Sequence, residues 1–164
     1  MIELSVEPYA APASRALSAA LEAEIDERYA ADGGADGGDA DAAAVWAVRP
    51  EQVSPPAGVF VVARLDGEPV GCGAVRAVLG GPAHHAEVKR MYTSPAARRR
   101  GISRAVLARL EDEARRLGYR WVQLETGTRQ PEAIALYEAT GYARIAPYGQ
   151  FEEHELTVCF GKDL

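Results

Sequence analysis

Residues 87–125 read EVKRMYTSPAARRRGISRAVLARLEDEARRLGYRWVQLE, and the fold follows from how this stretch changes period. Glu87 to Thr93 reads as a strand, which Ser94-Pro95 interrupts. From Ile102 onward, Val106, Leu110, Ala114 and Leu117 recur at helical spacing, and Gly118 supplies the stop. On that helix Glu111 with Arg115, and Asp112 with Arg116, are expected to pair at i,i+4. Trp121-Val122-Gln123-Leu124 then returns to a strand pattern. Strand, helix and strand make a βαβ unit, whose two strands should lie parallel.

Working outward, Val59–Ala63 and Val70–Val78 flank Asp66-Gly67, which predicts an antiparallel hairpin with a tight turn. Gly71 and Gly73 inside the second strand are compatible with a bulge, with close approach of another group, or with plain tolerance. Nearer the start, Ser14–Tyr29 carries Leu17, Leu21 and Ile25 at four-residue steps, an amphipathic helix. Ala31–Ala44 collapses to Ala, Gly and Asp and is expected to be a flexible surface loop, its aspartates not spaced for calcium. Downstream, a second helix starts at Pro131 with Ala133, Ile134 and Tyr137 on one face, and Gly141 lies past its end. Residues 142–160 add two short strands around Pro147-Tyr148-Gly149-Gln150. The expectation is a mixed α/β (α+β) fold, one layer of sheet with helices on its faces, forming a single domain over residues 1–164.

A chain of 164 residues, 48% hydrophobic and 26% charged, suits one ordinary core. Its net charge of -6 argues against binding nucleic acid through bulk electrostatics. No basic stretch followed by an apolar run stands near Met1, and no 18-residue apolar run occurs, so a cytoplasmic protein without membrane attachment is expected. Cys72 and Cys159 sit apart in strand-like stretches and read as buried thiols. No metal-ligand spacing is present, and no metal is expected; His84 and His85 lack a third ligand and read as exposed loop residues, with a base role as the alternative.

The chemical signal is Arg98-Arg99-Arg100 directly before Gly101 and a long helix. Arginines there oppose the positive end of the helix dipole, a conflict that a bound phosphate would resolve. The free amides of the first turn are ready donors for an anion, and Gly101 permits close backbone approach. A solvated basic loop is the alternative. No Gly-Lys-Ser/Thr follows the glycine, and there is no Gly-x-Gly-x-x-Gly, so the nucleoside-triphosphate and dinucleotide loops are excluded.

Arg98, Gly101 and Ser103 fall on a pattern that resembles the pyrophosphate loop of the GNAT superfamily of acetyl-CoA-dependent N-acetyltransferases, where the last slot is Gly or Ala rather than Ser. Ala86–Pro95 resembles the preceding strand, while Leu124-Glu125-Thr126-Gly127 and Gln130–Tyr137, ending in Gly141-Tyr142, resemble the following strand and helix. The similarity covers roughly Val59 to Phe160 in the family's order.

That resemblance implies a mostly antiparallel sheet with one splayed parallel pair and helices on both faces. Acetyl-CoA would lie in the splay, its pantetheine arm on the backbone of Met91, Tyr92 and Thr93. Arg98, Arg99, Arg100, Gly101, Ile102, Ser103 and Arg104 would hold the pyrophosphate, with Gln130 and Ala133 also against the cofactor. The reaction would be acetyl transfer to a primary amine, with Tyr137 as acid for the departing thiolate and Glu87 as base. Each has a structural alternative: Tyr137 as a core aromatic, Glu87 as a salt-bridge partner. The acceptor pocket would draw on the first helix, the Gly/Asp loop and the segment around Tyr148 and Phe151, where Glu152, Glu153 and Glu155 are either a lure for a cationic amine or a solvated turn. A non-catalytic acyl-CoA-binding regulatory module is the other reading, and a homodimer is implied by the superfamily's habit.

Overall fold

The computed structural model describes residues 1–32, 47–149 and 155–164. Seven strands form one sheet: β1 (Ile2–Val6), β2 (Gly58–Leu65), β3 (Glu68–Ala77), β4 (His85–Thr93), β5 (Trp121–Gly127), β6 (Ala143–Ile145) and β7 (Thr157–Asp163). Their spatial order is β1-β2-β3-β4-β5-β7-β6. Every neighbouring pair is antiparallel except β4 and β5, as expected of the βαβ unit. The helices are α1 (Pro12–Tyr29), α2 (Ile102–Arg116) and α3 (Pro131–Ala139), with single 3₁₀ turns at Ala30–Asp32, Pro50–Val53 and Pro95–Ala97.

The period-2 alternation of the strands divides the core between the two sheet faces. Val59, Val61, Ala63, Val75, Val88, Val122 and Leu124 turn toward α2 and α3, where Ile102, Val106, Leu107 and Leu110 are fully buried. Each such side chain contributes about 1.5–3 kcal/mol by leaving water. On the opposite face Phe60, Val62, Cys72 and Ala74 pack under Leu17 of α1. The hairpin turn has Asp66 at φ +53° and Gly67 at φ +87°, the left-handed pair that matches the twist of two adjoining strands.

Gly71 and Gly73 mark both a bulge and a close approach. Cys72 pairs with Tyr92 but Ala74 pairs with Lys89, so β4 carries one residue more than β3, and Arg90 takes the strain at φ +59°. A Cβ on Gly73 would stand 2.7 Å from Leu110 Cδ1 and 2.9 Å from Val106 Cγ1, and one on Gly71 would stand 2.8 Å from Ile102 Cγ2. The two glycines therefore let α2 settle directly on β3, with its first turn over the end of β4.

Three details differ from the sequence expectation. β1 is an additional edge strand whose alternating Ile2 and Leu4 are partly buried against the core. The pairing of Asp112 with Arg116 is replaced by i,i+3 contacts, Arg116 to Glu113 at 2.7 Å and Arg115 to Asp112 at 3.0 Å. Glu111 keeps Arg115 at 3.8 Å but takes Lys162 of β7 at 2.9 Å as its nearer partner, because it lies on the buried side of α2. Of the Ala31–Ala44 loop, Ala31 and Asp32 close a 3₁₀ turn, and the rest lies outside the described residues. Among the described residues no helix is long and apolar enough to cross a membrane.

Gly73→Val should destabilise the protein by roughly 1–3 kcal/mol through overpacking against α2. The check is urea denaturation, in which the midpoint should fall while the slope is kept.

Candidate active site

The parallel ladder between β4 and β5 lasts only three residue pairs, His85–Trp121, Ala86–Val122 and Glu87–Gln123. Beyond it β4 continues along β3 and β5 continues along β7, so the two strands diverge with their inner edges facing a gap. A cavity of about 900 Å³ occupies this gap. One wall is Val88 to Thr93 of β4, the other Glu125 to Gly127 of β5; Arg98, Arg99, Ile102 and Ser103 close one side, α3 another, and Leu21 to Tyr29 of α1 lie across it.

The loop entering α2 leaves the helix start without an acceptor. Arg99 has φ +63° and Gly101 φ +79°. These left-handed residues turn the chain abruptly into the helix, whose N-cap is Gly101 with no side-chain acceptor. No acidic residue stands in the first turn. The amides there keep their need for an acceptor, and the dipole favours a negative one. A Cβ on Gly101 would meet nothing within 4 Å, so its glycine is demanded by torsion angle. Arg98 donates from Nε to the Thr93 carbonyl at 3.1 Å and pairs with Glu24 of α1.

The structure gathers most of the residues singled out from the sequence. Met91, Tyr92, Thr93, Arg98, Arg99, Ile102, Ser103, Gln130, Ala133 and Tyr137 all line the cavity. Arg100, Gly101 and Arg104 are exposed beside it and do not line it. His84 and His85 stand at the far end of β4, outside the cavity lining, with His85 against the Trp121 ring at 5.9 Å. Phe151, Glu152 and Glu153 lie outside the described residues, and Glu155 is exposed.

Tyr137 is a core residue and a cavity residue at once. Its ring meets Tyr142 edge-on at 5.7 Å and Phe160 at 5.8 Å, and the side chain is 4% exposed. Burial, then the charge of Glu125, pushes its hydroxyl well above the usual phenol range, so it is held as a protonated donor.

Glu87 lies in a buried ionic layer and does not line the cavity. Its Oε2 accepts from Arg76 Nε and Nη2 at 3.2 and 3.1 Å, and its Oε1 accepts from the Tyr148 hydroxyl at 2.9 Å with Lys89 Nζ 3.7 Å away. Arg76 also donates to Gln52 Oε1 at 2.7 Å. Paired buried charges of this kind are held in register by their hydrogen bonds rather than by net stability.

Sequence reasoning missed the setting of Glu125. It sits on the gap side of β5, and its Oε1 is buried with no hydrogen-bond partner. Burial pushes this carboxyl up to about 8; Lys89 opposes the rise and Glu87 adds to it. The available signal was one carboxylate inside an apolar strand. Cys72 and Cys159 are pushed up to about 12 and about 11 by burial, which keeps them as inert thiols. Among the described residues no group of three or more His, Cys, Asp or Glu could hold a metal ion.

A sequence model of the acetyltransferase (GNAT) family matches residues 19–142. An IAA acetyltransferase of Azospirillum brasilense is 43% identical over 105 residues, 64% of this chain and 67% of that protein. Matches to the curated relatives span 55% to 67% of those proteins' lengths, so the chain corresponds to between about half and two thirds of each. The structure of a Klebsiella pneumoniae protein assigned as an acyl-CoA N-acyltransferase has TM-score 0.79 at 27% identity, covering 100% of this chain and 98% of that one. A Salmonella typhimurium protein assigned as an acetyltransferase and solved with its cofactor acetyl-CoA has TM-score 0.63 at 21% identity, covering 99% of this chain and 94% of that one.

The Glu125 environment has a measurable consequence. The folded carboxyl titrates at about 8 against 4.5 for the unperturbed group, so the unfolded chain releases that proton first. Relative to Glu125→Gln, the protein should lose stability as pH rises from about 4.5 to about 8, by a few kcal/mol in all, and then level off. Paired thermal melts across this range check it; a pH-independent difference would mean that Glu125 titrates normally.

Proposed function

Because the chain belongs to the acetyltransferase (GNAT) family, we propose that it transfers the acetyl group of acetyl-CoA to a primary amine of a small molecule, peptide or protein by direct attack within a ternary complex. One observation carries this reading: a single cavity connects the uncapped, arginine-rich start of α2 to the buried hydroxyl of Tyr137 through the gap between β4 and β5. Its volume of about 900 Å³ suits an extended ligand of cofactor size. The acetyl-CoA bound in the Salmonella relative supports the choice of donor.

In this reading the first-turn amides of α2 bind the pyrophosphate, and Arg98 to Arg100 add positive charge around it. The diverging inner edge of β4, from Met91 to Thr93, offers backbone groups to the pantetheine arm, and Gln130 and Ala133 border the same space from α3. Acetyl-CoA supplies an activated thioester whose sulfur leaves as the amine attacks. Tyr137, held protonated by its apolar surroundings, donates to that sulfur. Glu87, which does not line the cavity, acts in this reading by relay rather than by contact with the amine: its Oε1 accepts from the Tyr148 hydroxyl, while Arg76 and Lys89 keep it in place.

Calorimetric titration with acetyl-CoA, followed by thiol release against a panel of primary amines, tests the proposal. Tyr137→Phe should lower kcat by about 100-fold with acetyl-CoA affinity unchanged. Gly101→Val, strained at a positive φ, should weaken acetyl-CoA binding by about tenfold or more while the fold is kept. Binding without thiol release on any amine would instead mark a non-catalytic acyl-CoA-binding module.

A further inference from the structure

Resting on the acetyltransferase reading, in which Tyr137 is the acid, we propose that Lys162 is a positioning residue for that acid: it locks the C-terminal end of α3 and so fixes where the Tyr137 hydroxyl stands in the cavity. Lys162 and the groups it holds, Glu111, Thr140 and Tyr142, are all outside the cavity lining, whereas Tyr137 is part of it. Their influence on the chemistry therefore has to pass through Tyr137.

α3 has nine residues, and a helix this short owes its order to what holds its ends. Gly141, at φ +87°, reverses the chain so that the Tyr142 N–H returns to the Tyr137 carbonyl at 3.0 Å and the Gly141 N–H to the Glu138 carbonyl at 3.3 Å. These are the two bonds of a Schellman cap, a turn in which the side chains standing at Tyr137 and Tyr142 are brought together. The two rings do meet, edge-on at 5.7 Å. Thr140 adds its N–H and its Oγ1 to the same Tyr137 carbonyl, each at 3.1 Å. The backbone of the acid is thus tied into the cap itself.

What α3 lacks is a cation of its own at that end. Its last turn has no basic residue and carries Glu138, which the negative end of the helix dipole disfavours. Lys162 supplies the cation from β7, two residues beyond the core residue Phe160 and so on the same face of the strand. Its Nζ donates to the Thr140 carbonyl at 3.0 Å and stands 5.3 Å from the centre of the Tyr142 ring. Glu111 of α2, itself buried, aims that ammonium by accepting from it with both carboxylate oxygens at 2.9 Å. One side chain therefore grips the helix end and the ring that abuts Tyr137.

Other ties on α3 do not replace this one. Arg28 holds Glu132 at the opposite end of the helix, and the Arg144–Glu138 pair at 3.1 Å is largely solvated and weak. Phe160 meets the Tyr137 ring at 5.8 Å and supports it from the sheet, but an apolar contact lets a ring slide. An acid is useful only within hydrogen-bond reach of the atom it protonates, and a displacement of about 1 Å lowers turnover far more than it lowers binding.

The test is a double-mutant cycle on kcat for thiol release, with n-butylamine, lysine and an alanyl peptide as acceptors and acetyl-CoA affinity measured on every variant, well below each melting midpoint. Lys162→Met is made together with Glu111→Gln, so that no unpaired carboxylate is left buried, and Glu111→Gln alone is the control, since its amide oxygen still accepts from Lys162. The paired change should lower kcat by about tenfold and leave acetyl-CoA affinity unchanged. Glu111→Gln should stay close to wild type in kcat, and so should Lys162→Arg, which keeps a cation for the Thr140 carbonyl. Added to Tyr137→Phe, the paired change should cost nothing more, because the hydroxyl it positions is already gone. Wild-type kcat in the paired variant, an equal loss with and without the Tyr137 hydroxyl, or a matching loss of acetyl-CoA affinity would overturn the proposal and leave the acetyltransferase reading standing. Thiol release with none of the acceptors, by wild type, would overturn both.

Discussion

The site depends on a loss of backbone pairing between two adjacent strands. Backbone N–H and C=O groups tolerate separation from a partner only where something else satisfies them. β4 and β5 can part after Glu87 and Gln123 because each keeps a full antiparallel neighbour on its outer side, β3 and β7 respectively. The extra residue of β4, absorbed at Arg90, bends that strand at the place where it leaves its parallel partner. What opens is a slot between two strand edges, inside an otherwise continuous sheet.

Packing then aims the arginine-rich loop at that slot. Because Gly71 and Gly73 let α2 lie flat on β3, Ile102 falls beside the pairing of Gly71 with Thr93. The helix start is thereby held at the end of β4, and the left-handed Arg99 and Gly101 deliver the chain to it from Pro95–Ala97. Neither the loop nor the slot would form a site alone; the two glycines of β3 bring them together. The opposite face is differently built, with an apolar end under α1 and a buried ionic end made by Arg76, Glu87 and Lys89, beside which Glu125 lines the cavity.

Much of this was legible because it is local. The Asp66-Gly67 turn, the helical stripe from Ile102 and the glycines at 118 and 141 are readable from spacing alone, and they give the hairpin, the βαβ unit and the parallel pair. β1 was not read, since five residues beside a sheet edge carry little periodicity and derive their order from pairing with β2. The bulge at Arg90 was visible only as two glycines on the neighbouring strand. At the site, the arginine loop and Tyr137 were identified by motif. The setting of Glu125 was not, because its burial, its unpartnered oxygen and its nearness to Lys89 depend on strands separated in sequence by the whole of α2. The ties of Glu87 to Arg76 and Tyr148 are long-range in the same way.

The same arginine that advertises the loop also binds α1 to it. Arg98 is shared between the Thr93 carbonyl and Glu24, while Arg28 of α1 pairs with Glu24 at 2.6 Å and also with Glu132 at the start of α3. Arg90 reaches Glu22 at 2.6 Å, and Arg129 pairs with Asp32. α1 is thus laced by ion pairs to β4, to the α2 loop and to the approach to α3, around three sides of the cavity. Arg98 is partly solvated, so its pair with Glu24 is worth at most about 1 kcal/mol and is weakened by salt. A doubly charged anion on the α2 amides would compete for that guanidinium on favourable terms, since it would gain the helix end as well as the arginine. Loss of the Arg98 link would leave α1 still held by Arg28 to Glu132 and Arg90 to Glu22, and the 3₁₀ turn after it by Arg129 to Asp32. Anion entry at the loop is therefore compatible with an intact wall, and only one of the pairs along α1 has to yield.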